Sequence, residues 1–149
     1  MGTSIEFDEM VRTCRNGLTA YARSVCRDRW TADEAVQETL IRAWRYFPTF
    51  RGDSSPMTWL VSICRRVVVD LARRSTRHDS LAEDFVDDID AFAGGHLIDL
   101  VRSLPLPQRE VIVLCGLLGF DYDTAADMIG VPVGTVRSRL SRARTALGE

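Results

Sequence analysis

Apolar residues recur at intervals of three and four along most of the 149-residue chain, and no segment alternates apolar with polar positions as a half-buried strand would. The pattern predicts an all-α protein. Phe7, Met10, Val11, Cys14, Leu18, Tyr21 and Val25 mark a first helix from about Ile5 to Cys26, opened by the capping box Thr3-Ser-Ile-Glu6. Thr31-Ala-Asp-Glu34 has the same form and predicts the start of a second helix. That helix carries Val36, Leu40, Ala43, Trp44 and Phe47 and stops before Pro48. After the loop 49-TFRGDSS-55, Ser55 is placed to cap a third helix with Pro56 in its first turn. It runs through Trp59, Leu60, Ile63, Val67 and Leu71 to about Arg74.

From Ser75 to Gly95 the periodicity gives way to polar, acidic, glycine-containing sequence, the composition of a flexible linker. Beyond it the pattern predicts a short helix from Leu97 to Leu104, a proline-bounded helix from Gln108 to Leu118, and then 121-DYDTAADMIGVPVGTVRSRLSRARTAL-147. In that segment Asp121 serves as N-cap, Ala125, Ala126 and Ile129 face inward, Gly130 ends the helix and Pro132 starts the next. A short helix, a glycine-containing turn and a longer helix read as helix-turn-helix, whose second helix enters the DNA major groove. The expected organisation is two small helical domains, residues 1–75 and 96–149, joined by a flexible acidic linker over 76–95.

Charge sharpens this picture at the last helix. The stretch 133-VGTVRSRLSRARTALGE-149 holds four arginines and one acid, in a chain whose formal net charge is −2. At ~100° per residue, Val133, Val136, Leu140, Ala143 and Leu147 form one stripe. Ser138 and Thr145 lie opposite it, flanked by Thr135, Ser141, Arg139 and Arg142, with Arg137 and Arg144 nearer its edge. The acidic total is misleading. Six of the twenty-one acids (Asp79, Glu83, Asp84, Asp87, Asp88, Asp90) fall within a base-free run in the linker, and the rest of the chain sets nineteen arginines against fifteen acids.

Other chemistry is not in evidence. The four cysteines at 14, 26, 64 and 115 form no CxxC or Cys/His spacing, and only His78 and His96 are present. No glycine-rich phosphate loop occurs. The sequence therefore predicts no catalytic residues, no metal, no cofactor and no small-molecule substrate. It predicts buried, unbridged thiols in a reducing cytoplasm. No signal peptide or membrane span of ~20 apolar residues is found.

Three segments occur in order along the chain: 33-DEAVQETLIRAWRYFPTFRG-52, 57-MTWLVSICRRVVVDLARR-74, and 104-LPLPQREVIVLCGLLGFDY-122 followed by 131-VPVGTVRSRLSRAR-144. Together they resemble the extracytoplasmic-function (ECF) group of sigma-70 family RNA polymerase sigma factors over nearly the full length. The resemblance implies sigma domains two and four, without the first and third domains of larger sigma factors. It implies a polymerase-docking set of Asp33, Glu34, Gln37, Glu38, Leu40, Ile41 and Trp44, seated on the clamp helices of the largest polymerase subunit. Helix-dipole complementation and Glu34–Glu38–Arg42 pairing also account for some of these charges.

For the minus-ten element, the resemblance implies Phe50, Arg51, Asp53, Ser54, Ser55, Trp59, Arg65, Arg66, Arg73 and Arg74, with Arg77 just beyond. The loop would capture a base flipped from the non-template strand, which calls for polar groups, apolar walls and nearby cations. Trp59 also suits a core position, and Phe50 fits either role. Arg66 stands where the family most often has Asn, and Arg prefers guanine or phosphate. For the minus-thirty-five element the set is Thr135, Arg137, Ser138, Ser141, Arg142 and Arg144. Domain four is expected on the flap region of the second-largest subunit. The linker acids are expected to thread toward the basic active-site and RNA-exit region.

The implied function is a promoter-specificity subunit, with promoter DNA, core polymerase and an anti-sigma factor as partners. Because the chain ends at Glu149, regulation is expected through a partner, synthesis or degradation. The alternatives are a helix-turn-helix regulator that is not a polymerase subunit, which leaves the front domain unexplained, and a polymerase-occupying adaptor, which leaves the terminal arginines unexplained.

Overall fold

Helix α1 (Ser4–Val25) buries the stripe its spacing predicts: Phe7, Met10, Cys14, Leu18, Tyr21 and Val25 are all in the core, with Val11 half-buried. The structure is a computed structural model and describes residues 4–26, 28–75 and 95–148. Thr3 of the first capping box, the linker acids and Arg77 lie outside the described residues. The chain divides into two compact units, Met1–Phe85 and Val86–Glu149.

Helix α2 (Arg29–Tyr46) begins earlier than its predicted capping box. Its N-cap is Asp28, whose carboxylate accepts from the Thr31 amide at 2.7 Å and from the Thr31 hydroxyl at 3.0 Å. Thr31 itself is helical. A carboxylate three residues upstream satisfies the first-turn donors and complements their partial positive charge, leaving no cap for Thr31 to supply.

The inner face of α2 also departs from prediction. It consists of Ala32, Ala35, Val36, Thr39 and Ala43, while Leu40 and Phe47 are half-buried and Trp44 is exposed. Small residues fit between the two helices that α2 packs against, α1 and α3 (Pro56–Ser75). Buried hydroxyls are satisfied locally, Thr39 donating to the Ala35 carbonyl at 2.6 Å and Ser24 to Ala20 at 2.7 Å. Helix α3 starts as predicted, with the Thr58 amide donating to Ser55 Oγ at 3.1 Å. It buries Leu60, Val61, Ile63, Cys64 and Val67. Burial pushes the Cys64 thiol up to about 11, against the opposing hydrogen bond with Thr39.

The second unit has α4 (Gly95–Arg102), α5 (Leu106–Val111), α6 (Tyr122–Ile129) and α7 (Val133–Ala146). The helix predicted over Gln108–Leu118 starts at Leu106, and after Val111 it widens into a π-helical segment, Ile112–Leu117. There the Leu118 amide reaches Val113 O at 2.9 Å, and the Phe120 amide reaches Leu114 O at 3.0 Å. Val101, Leu104, Val111, Val113, Leu114, Ala125, Ala126, Val136, Leu140 and Ala143 form the core. No cysteine is in a disulfide; three are buried as predicted, but Cys115, in the wide turn, is half-buried. No described helix is long and apolar enough to cross a membrane.

Candidate nucleic-acid interface

In the second unit, turn chemistry positions the polar helix. Asp121 Oδ1 accepts from the Thr124 amide at 2.7 Å, which holds the Asp121 carboxyl below its ordinary range and caps α6. At the other end, the amides of Gly130 and Val131 both reach Ala126 O, at 2.8 and 3.1 Å. This closure needs the left-handed backbone of Gly130, φ +83°. Three residues then suffice to redirect the chain, and Pro132 leads into α7.

Helix α7 buries Val136, Leu140 and Ala143 and leaves Arg137, Ser138, Ser141, Arg142, Arg144 and Thr145 exposed. Thr135 is half-buried, as is Arg139, which the helical wheel places on the polar flank. No acid occurs in the helix. No ion pair neutralises its arginines among the described residues. Ser138 and Thr145 spend their hydroxyl protons on their own helix, donating to Thr135 O at 3.1 Å and to Ser141 O at 3.0 Å. Their oxygens therefore face outward as acceptors. Arg144 sits close enough to Cys115 to favour its thiolate, although burial and Asp121 outweigh it and keep that thiol protonated. The Arg, Ser and Thr groups of α7 form an electropositive surface with both donors and acceptors, suited to base edges and phosphates.

In the first unit, a 3₁₀ turn (Phe47–Thr49) and the loop through Ser55 join α2 to α3. Arg51, Asp53, Ser54 and Ser55 are exposed on it, and Gly52 supplies the left-handed turn at φ +78°. Phe50 and Trp59 are brought together, stacked with ring centroids 4.7 Å apart and both half-buried. Phe47 adjoins both, each at 6.4 Å, and bridges them to Phe7, which in turn meets Trp44 edge-on at 5.1 Å. Along α3, Arg66, Arg73 and Arg74 are exposed and Arg65 is half-buried.

The acids of α2 are less available than their sequence spacing implies. Asp33 pairs with Arg23 of α1 at 3.7 Å and with Arg29 at 3.9 Å. Glu38 pairs with Arg42 at 3.0 Å, and Arg42 also reaches Asp70 of α3 at 3.4 Å. These two carboxylates push the Arg42 guanidinium up from its ordinary value, the Glu38 hydrogen bond contributing most. Glu34 is exposed and, as a carboxylate, repels Glu38, so of the chain Glu34–Glu38–Arg42 only the Glu38–Arg42 pair forms. Sequence spacing missed the link to Asp70, because it joins residues 28 apart. Gln37, Ile41 and Trp44 are exposed and Leu40 is half-buried.

Two all-helical units, one with a helix-turn-helix presenting an acid-free basic helix, define a sequence-reading DNA-binding protein. Comparisons with known proteins narrow the class. Sigma-70 region 2 matches residues 10–89, and Sigma-70, region 4 matches residues 96–147. The ECF RNA polymerase sigma factor SigC of Mycobacterium tuberculosis is 36% identical over 150 residues, covering 87% of this chain and 80% of that protein. Among solved structures, the sigma factor RpoE in complex with the anti-sigma factor NepR from Bartonella quintana superposes with a TM-score of 0.85 at 31% identity, covering 95% of this chain and 94% of that one. CnrH, in complex with the cytosolic domain of CnrY, gives 0.73 at 28% identity, covering 98% and 87%. The chain belongs to the sigma-70 family of RNA polymerase sigma factors, in its extracytoplasmic-function group. Its function is promoter-directed initiation of transcription with core RNA polymerase. The front unit, unexplained under a free-standing helix-turn-helix regulator, is accounted for by the region 2 match.

Proposed function

We propose that residues 1–75 act as sigma domain two and residues 96–149 as sigma domain four, with 76–95 as the linker. Helix α7 reads the minus-thirty-five element through Thr135, Arg137, Ser138, Ser141, Arg142 and Arg144. The observation that carries this is the uncompensated basic face of α7, set on a helix-turn-helix whose first helix is capped by Asp121 and closed at Gly130. The minus-ten element falls to the Phe50–Ser55 loop, Trp59 and the arginines of α3. A base entering there would meet the Phe50–Trp59 stack as an aromatic wall. Arg66 is exposed and would favour guanine or phosphate.

Docking uses Glu34, Gln37, Ile41 and Trp44 on the outer face of α2, with Asp33, Glu38 and Leu40 beside them. The clamp helices of the largest polymerase subunit are the partner, and domain four meets the flap of the second-largest. Likeness to two sigma factors solved with anti-sigma partners supports an anti-sigma factor for this chain. The protein works in the cytoplasm, and bond formation belongs to the polymerase.

The test is to sequence the transcripts made by core polymerase on total genomic DNA with and without this protein. New starts sharing paired upstream elements are expected. Unchanged promoter choice would overturn the proposal.

A further inference from the structure

The outward residues of α2 fall on one line. Trp30, Glu34, Gln37, Ile41 and Trp44 are spaced by four, three, four and three residues, and all five are exposed. Such spacing is the seam of a coiled coil, which keeps one row of side chains against a partner helix over several turns. The row is about 21 Å long at ~1.5 Å per residue. Three of its members are large and apolar: Trp30 is 79% exposed, Ile41 and Trp44 53% each. No other large apolar side chain among the described residues is as exposed as Trp30, which has no ring partner there. An indole this exposed at the start of a well-capped helix buries little apolar surface in the fold.

We propose that Trp30 is the far anchor of this five-residue seam, by which α2 lies along a helical segment of core RNA polymerase. The inference rests on the docking reading above and extends it upstream of Asp33. The partner segment would offer an apolar position to each tryptophan and, between them, a cation or amide to Glu34 and Gln37. A second copy of this chain fits poorly. Parallel pairing sets Glu34 against Glu34, and antiparallel pairing about Gln37 sets Glu34 against Ile41, burying a carboxylate without a partner. Trp44 is already oriented by its edge contact with Phe7, whereas Trp30 takes its orientation from the partner.

The test is equilibrium binding of the labelled full chain to core polymerase. Trp30→Ala is expected to weaken binding about tenfold or more, as loss of an interface tryptophan does. The loss should be the same at low and high salt, and Trp30→Phe should retain most of the affinity. Ile5→Ala should bind normally, although Ile5 is 74% exposed, because it lies off the seam. Ile41→Ala tests the docking reading itself. If Ile41→Ala weakens binding and Trp30→Ala does not, the inference is overturned and docking stands; if neither does, both fall. Trp30→Ala should also leave the melting temperature unchanged. A lowered one would assign Trp30 to the fold, and lost self-association with normal polymerase binding would assign the seam to a second copy; either overturns the inference.

Discussion

Ser138 and Arg142 share the acid-free face of α7 yet offer DNA different chemistry. Ser138 presents an acceptor, its proton being committed to Thr135 O, whereas Arg142 presents donors with no carboxylate on its helix to draw them away. A guanidinium in the major groove takes guanine O6 and N7 together, an interaction of ~1–3 kcal/mol. Arg142→Ala is therefore expected to lower transcription and relax preference at one base of the minus-thirty-five element. Arg144→Ala, nearer the border of the buried stripe, should weaken all sequences alike. Both should bind core polymerase normally. Measuring both variants on a library of minus-thirty-five sequences separates these outcomes, and uniform loss for Arg142→Ala would make it a positioning residue. In the core, the Cys64 thiol is raised from its ordinary 9.0 to about 11. Between those values the unfolded chain has released a proton that the folded chain retains, so stability falls as pH rises from about 9 to 11. Thermal melts across that range should show the decline flattened in Cys64→Ala; an unchanged slope would clear the thiol. The exposure of Arg137, Arg142 and Arg144 was legible in sequence because one helical period sorts them. Arg139 and Trp44 were not, because how far a long side chain emerges depends on the neighbouring helix.

Elements were legible where one local rule decides them. Asp121, Gly130 and Ser55 cap as their residue types predict, since each bond spans only three or four positions. Competition between neighbouring signals was harder to read. Asp28 and Thr31 both open α2 plausibly, and the structure resolves the rivalry by making Thr31 the donor to Asp28. The π-helical segment after Val111 has no sequence mark, because its buried Val113 and Leu114 suit an ordinary α-helix equally. The turn between α6 and α7 offers a sharp test. A methyl group at Gly130 would meet nothing within 4 Å, so only its left-handed backbone resists substitution. Gly130→Ala is expected to destabilise the second unit by ~1 kcal/mol, and Gly130→Asn by less. Thermal unfolding of the full chain measures both, and equal costs for Ala and Asn would argue against the backbone as the cause.

At the scale of the whole molecule, two small units each carry part of the basic surface, while six acids lie between α3 and α4 in sequence. The two-unit organisation was legible because periodicity stops and restarts, and the family because three motifs keep their order. The contacts proposed above, a short basic helix and a few arginines on α3, would give each unit little hold on DNA alone, and two weak sites gain avidity only when their spacing is fixed. The isolated chain is expected to bind promoter duplex weakly, and to discriminate between promoters only with core polymerase. Footprinting of both promoter elements, with and without polymerase, checks this; tight, specific protection of both by the chain alone would contradict it. On α2, with Asp33 paired to Arg23 and Arg29 and Glu38 to Arg42, Glu34 alone of the three docking carboxylates is left bare to draw a basic partner from a distance. Through the docking face proposed above, encounter with polymerase is expected near the unsteered rate of about 10⁵–10⁶ M⁻¹ s⁻¹. Under the seam proposed above, which factor a polymerase carries is decided by dwell time, by how slowly Trp30 and Trp44 would leave their seats once settled.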